Sequence, residues 1–214
     1  MPAVSTNTID SRHGLLRRGM HLSLIVIIWN VIEAVVAVTA GMIASSVALI
    51  SFGIDSSVEV LSAVVVFWRL RAETRGGGVG RAERLERRAA PITGGLLLLL
   101  AIYITVDAGR RLLGYGEEAT TSLAGIVLTL VSLVVMPLLG WAKLRTADAL
   151  DSATMRADSY ETIACAWLSL TALVGLGLNA VLGWSWTDPL AALLILPLII
   201  REGLEAFTRR EEDA

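Results

Sequence analysis

Apolar residues fall in six blocks along the chain, each close to the roughly 20 residues that a helix needs to cross a bilayer core. The blocks cover residues 20–40, 45–69, 91–113, 121–142, 157–182 and 187–207. Only the second and third blocks are separated by a substantial polar loop. The pattern predicts an all-α, polytopic membrane protein with six transmembrane helices.

The composition favours a membrane protein over a soluble one. Of the 214 residues 55% are hydrophobic and only 18% are charged, whereas a soluble domain has about 25% charged residues. The first block is longer than the apolar core of a signal peptide and contains Asn30 and Glu33. We therefore expect it to be a retained membrane helix.

Positively charged residues lie almost entirely on one side of the predicted bundle. If the amino terminus is cytoplasmic, all of the 18 Lys and Arg except Arg110 and Arg111 fall inside, Lys143 among them. Because cytoplasmic loops are rich in Lys and Arg, we expect both termini to be cytoplasmic, with the plasma (inner) membrane as the location. The predicted organisation is a cytoplasmic segment 1–19, a membrane domain 20–207 with a cytoplasmic loop 71–88, and a cytoplasmic tail 208–214.

Two acidic residues, Asp55 and Glu59, lie near the middle of the second block. Residues four apart share a face of a helix, with Cβ atoms about 5–6 Å apart. Two carboxylates at that spacing in hydrocarbon cannot both stay ionised without a partner. The partner could be protons, a basic group or a metal cation. The purely structural alternative is a hydrogen-bonded seam of protonated carboxyls.

The fifth block carries a second set of polar side chains on one helical face: Asp158, Glu161 and Cys165. Glu161 and Cys165 repeat the four-residue spacing, and two facing helices with such pairs can supply four ligands to one ion. Zinc binds carboxylate and thiolate ligands at about 2.0–2.3 Å in tetrahedral sites. Cys165 alone is more typical of a small core residue. Asp158 lies a turn nearer the cytosol, as a candidate ligand, an entry-path group or a snorkelling helix-end residue.

Three other acidic residues have simpler interpretations. Glu33 in the first block is either a proton-coupling site or a hydrogen-bonding group between helices, and both remain open. Asp107 precedes Arg110 and Arg111 by three and four residues, so we expect a local ion pair. Asp188, followed by proline, is typical of a helix start and predicts the beginning of the sixth helix.

These motifs resemble those of the cation diffusion facilitator transporters. The similarity is carried by SSVALISFGIDSSVE in the second block, RADSYETIAC in the fifth and a sixth helix that starts with Asp-Pro. The family has a D-x-x-x-D pair in its second helix, on which Asp55 and Glu59 fall. It has H-x-x-x-D in its fifth helix, on which Glu161 replaces the His and Cys165 replaces the Asp.

The resemblance implies metal-cation/proton antiport by a short, membrane-only branch without the family's cytoplasmic metal-binding domain. It implies zinc as the first candidate for the transported ion, no permanently bound cofactor, and a homodimer. The expected partners are the lipid bilayer, a metal cation and protons, with no nucleic acid.

The physical logic of antiport follows from the ligands themselves. Metal ligands must lose their protons to bind, so proton binding ejects the metal. We therefore expect divalent cation efflux coupled to inward proton movement, at a midplane site between the second and fifth helices. Gly175 and Gly177 in the fifth helix either permit its motion or serve as packing contacts.

A different class of function stays open. A membrane protein that binds metal without transport, as a sensor or assembly subunit, would carry the same ligands. An enzyme is not expected, because the two histidines are not placed with a nucleophile and no serine lies in an elbow motif.

Overall fold

The computed structural model describes residues 6–75, 80–115 and 118–208 of the chain. The side chains of 6–11, 80–94, 96, 153, 202 and 205–208 are outside this description. The described residues form six helices in chain order: α1 Thr6–Ala44, α2 Val47–Thr74, α3 Gly80–Leu112, α4 Leu123–Leu150, α5 Ala153–Leu182 and α6 Thr187–Thr208. The prediction of a six-helix, all-α protein is confirmed.

Four stretches of described residues are long and apolar enough to cross a membrane: Arg12–Ala44, Val47–Thr74, Leu123–Leu150 and Thr154–Leu182. They correspond to the first, second, fourth and fifth predicted blocks. Several helices continue well past the apolar blocks. In particular α4 reaches Leu150 instead of residue 142. Lys143, which follows the predicted block, therefore lies within the helix.

Serine side chains begin three of the helices. The hydroxyls of Ser46, Ser122 and Ser152 accept hydrogen bonds from backbone N–H groups three residues further on, at 3.1, 3.1 and 3.4 Å. A serine in extended conformation at this position satisfies one of the free N–H groups of the first turn. At the other end of α5, Gly183 takes a left-handed conformation, with φ of 67°, which glycine adopts without steric cost.

The helices pack in three close pairs, α1 with α2, α4 with α5, and α3 with α6. Helix α2 also contacts α3, α5 and α6, so it lies at the centre of the bundle. A Cβ on Gly53 would lie 2.8 Å from Val38 Cγ2, and one on Gly140 would lie 2.6 Å from Ile163 Cγ1. Small residues therefore let α2 approach α1, and α4 approach α5, as is usual for membrane helices.

Candidate metal centre

The acidic pair of α2 faces the interior of the bundle. Asp55 is 6% exposed and Glu59 is 5% exposed, one helical turn apart as the sequence predicts. Both carboxylate oxygens of Glu59 are buried without a hydrogen-bond partner among the described residues. Thr162 and Cys165 of α5 are its polar neighbours, although neither contact has the geometry of an ordinary hydrogen bond. Glu59 is therefore a buried acceptor with unused capacity.

Helix α5 brings its own candidate residues to the same interface. Cys165 is buried with a free thiol, and it lies within electrostatic range of Asp55 and Glu59. Glu161 is half-buried and interacts with Ser62 of α2 and with Glu59. The two sequence-predicted pairs thus belong to one interface between α2 and α5.

These side chains are neighbours, but they do not form a closed coordination shell. Within the part of the chain that the structure describes, no three His, Cys, Asp or Glu side chains converge closely enough to hold one metal ion. Coordination by Asp55, Glu59, Glu161 and Cys165 stays a prediction. Carboxylates and a thiolate are nevertheless the donor types that zinc and similar divalent ions accept.

A buried lysine joins this interface. The charge count assigns Lys143 to the cytoplasmic side; its side chain is 0% exposed, and α4 continues for two further turns beyond it. Its Nζ lies 2.6 Å from Asp158 Oδ2 and donates a hydrogen bond of 2.8 Å to Thr162 Oγ1. Asp158 is 1% exposed, so it neither snorkels to the surface nor lines an open entry path.

The sequence contains a signal for this pair. A longer estimate of α4 would have placed Lys143 inside the bundle. An intramembrane lysine needs an acidic partner, and Asp158 lies near the start of the facing helix α5.

The chain is similar in sequence to known proteins. A family model for the cation efflux transmembrane domain matches residues 23–209 of the chain. The chain belongs to the cation efflux family. The resemblance to cation diffusion facilitators is confirmed, and the family is one of transporters.

Several curated proteins are similar to this chain. The cadmium, cobalt and zinc/H(+)-K(+) antiporter of Bacillus subtilis is 26% identical over 178 residues, which cover 82% of this chain and 55% of that protein. An uncharacterised transporter of Synechocystis sp. is 31% identical over 154 residues, 71% of this chain and 49% of that protein. Metal tolerance protein C1 of Arabidopsis thaliana is 30% identical over 134 residues, 60% and 28% of the two chains. The chain thus spans about half the length of the curated relatives, or less.

Glu33 of this cation efflux domain lies at the meeting point of three helices. The side chain is 0% exposed, and Ser132 of α4 donates a hydrogen bond to its Oε1. Ser56 of α2 donates to Oε2 at 3.3 Å. Glu33 is therefore a hydrogen-bonding group between α1, α2 and α4, while a role in proton coupling stays a prediction.

A second group of polar contacts ties the helices together where α1 turns into α2. Asp188 begins α6 as predicted, but its carboxylate serves a different helix: Oδ1 accepts from the Ser46 hydroxyl and Oδ2 from the Val47 N–H at 2.8 Å. Asp188 therefore caps α2 and not its own helix. The local ion pair of Asp107 is confirmed with Arg111, at 2.8 Å.

Proposed function

We propose that this chain moves a divalent metal cation out of the cytosol in exchange for protons, at a site between α2 and α5. The observation that carries the proposal is the buried carboxylate of Glu59, one turn from Asp55 and beside Cys165. A charged side chain at bilayer depth costs about 2.5–3.5 kcal/mol on insertion scales. A cation or a proton at the site would offset that cost.

Exchange for protons follows from the chemistry of these ligands. Asp55, Glu59 and Glu161 would repel one another when all are ionised, so the empty site would retain protons. A divalent cation can bind only as those protons leave. Rocking of helices around the site would then expose it to each side of the membrane in turn.

The proposed ion is zinc, with cadmium and cobalt as the next candidates. The Bacillus subtilis relative carries cadmium, cobalt and zinc in its name. In this chain, the carboxylates of α2 are hard ligands and the thiol of Cys165 is a soft one, a combination that suits zinc better than magnesium or calcium.

The proposed orientation has both termini in the cytoplasm and the protein in the plasma membrane. It is supported by the excess of Lys and Arg in the amino-terminal segment and in the loop 71–88. The proposed transport unit is the helical region 20–207, working as a homodimer. Cross-linking in native membranes tests the dimer.

The second candidate is a membrane protein that binds a metal ion without transporting it, as a sensor or an assembly subunit. It is favoured by the altered ligand set, in which Glu161 and Cys165 replace the His and Asp of the family's transport motif. Turnover separates the two functions, because a sensor takes up one ion per site and moves none across the bilayer.

Transport by proteoliposomes with an internal zinc-sensitive dye and a pH-sensitive dye tests the proposal. We expect a proton gradient to drive zinc movement and zinc to collapse the gradient. Asp55→Ala should abolish both signals. Asp148→Asn is the matched control, because that carboxylate is exposed and pairs only with Arg156 and solvent among the described residues. If zinc, cadmium and cobalt all leave the proton gradient of wild-type proteoliposomes unchanged, metal transport is ruled out.

A further inference from the structure

Lys143 has no part in the proposed exchange, yet it is among the largest fully buried side chains described. Its ammonium group is held by Asp158, through Oδ2 at 2.6 Å and the backbone carbonyl at 3.3 Å, and by Thr162 Oγ1 at 2.8 Å. The contacts with Thr162 and with the carbonyl are hydrogen bonds, and the contact with the carboxylate is an ion pair. A fixed positive charge therefore lies inside the bundle.

This charge lies beside the candidate ligands. Lys143 is within electrostatic range of Glu59 and of Glu161. Thr162, which accepts the hydrogen bond from Lys143, is also the polar neighbour of Glu59. The ammonium and a bound metal ion would compete for the same carboxylates.

A structural role alone gives a weak account of this pair. Burying two charges costs several kcal/mol per ion, and well-packed apolar residues often stabilise a protein as well or better. The effect of the lysine charge on a nearby cation is larger than the contribution of the pair to stability, because unit charges interact strongly where water is excluded.

We propose that Lys143 is an internal competitor of the transported cation, and that Asp158 is a positioning residue that holds its ammonium off Glu59 and Glu161. The inference rests on the proposed function. The ammonium makes the site less negative, which weakens metal binding enough for release. Without Asp158, the flexible lysine side chain turns to the remaining carboxylates and takes the place of the metal.

The two residues therefore have opposite effects on metal affinity. Lys143→Met should tighten zinc binding, and Asp158→Asn should weaken it, each by at least about tenfold, for one charge changed near a divalent ion in a medium of low dielectric. The double variant Lys143→Met with Asp158→Asn should recover most of the affinity that Asp158→Asn loses. A purely structural pair would lower thermal stability in both single variants without moving affinity in opposite directions.

The test is calorimetric titration of zinc chloride into the full chain in lipid nanodiscs, with the melting temperature measured for each variant. Arg145→Met is the matched control, because Arg145 lies on the same helix but is exposed and stacks on Trp141 at 3.5 Å. It should leave zinc affinity unchanged.

The outcomes separate this inference from the proposed function. Wild-type protein that binds no zinc contradicts the proposed function and the inference with it. A second outcome is that the wild type binds zinc and Asp55→Ala does not, while Lys143→Met and Asp158→Asn bind zinc with equal affinity. This result overturns the role of Lys143 and leaves the proposed function standing. If one single variant fails to fold, the other single variant still gives the sign, and the double variant shows whether it is reversed.

Discussion

Two carboxylates of this molecule are both buried but have opposite surroundings. Asp188, at the start of α6, accepts hydrogen bonds with both oxygens, from the hydroxyl of Ser46 and from the N–H of Val47. Glu59, in the middle of α2, has no such donor to either oxygen among the described residues. Burial alone would have grouped them together.

The difference teaches how to separate a structural acid from a functional one. A carboxylate at a helix amino terminus is favoured by the free N–H groups and by the helix dipole. Asp188 is placed in this way against α2, so it stabilises the fold without any ligand. Glu59 lies far from any helix end and keeps its acceptor capacity for a proton or a cation.

The largest expected effect is on transport. Glu59→Gln should lower zinc transport at least about a hundredfold, beyond the loss usual for outer-shell partners of a metal site. Asp188→Asn keeps the shape of the cap and should leave transport within a few-fold of wild type. Zinc flux into proteoliposomes with equal amounts of reconstituted protein measures both. Equal losses in the two variants would mean that hydrogen-bond satisfaction does not distinguish the two acids.

Stability should change in opposite directions. Asp188→Ala leaves the Val47 N–H and the Ser46 hydroxyl without the acceptor that Asp188 adds to the first turn of α2, so we expect a loss of about 1–3 kcal/mol. Glu59→Gln removes a charge that no described donor solvates, so stability should stay level or rise by about 1 kcal/mol.

Thermal unfolding in detergent, followed by tryptophan fluorescence and circular dichroism, tests these signs. Asp148→Asn again serves as the exposed control, with an expected change below about 1 kcal/mol. A loss of stability in Glu59→Gln as large as in Asp188→Ala would indicate that Glu59 is part of the structural framework.

The sequence predicted what depends on local spacing. Block length gave the six helices, the four-residue spacing placed Asp55 and Glu59 on one face of α2, and the same rule found the ion pair of Asp107 with Arg111. Each of these involves residues within one helix. The matching four-residue spacing of Glu161 and Cys165 then predicted which two helices meet.

What the sequence did not predict are contacts between distant parts of the chain. The cap formed by Asp188 joins residues that are 141 positions apart, and no local pattern indicates which helix end a buried acid will meet. Lys143 was missed for a related reason. The apolar block ends before it, but α4 does not, so counting charges by side does not predict that its side chain is buried.

The smallest expected effect comes from two glycines on α5, which the sequence could not tell apart as hinges or packing contacts. A Cβ on Gly175 would lie 2.6 Å from Ala191 Cβ and 3.2 Å from the Thr187 carbonyl, whereas one on Gly177 meets nothing within 4 Å. Gly175→Ala should push the start of α6, and Asp188 with it, away from α2, at a cost of about 1–2 kcal/mol. Gly177→Ala should be neutral or stabilise by up to about 1 kcal/mol, because alanine favours the helix. Thermal unfolding of both variants gives the comparison. In the background of Asp188→Ala, the cost of Gly175→Ala should shrink, because the cap that it disturbs is already gone. If the two costs add in full, the contact of Gly175 with α6 is independent of the cap.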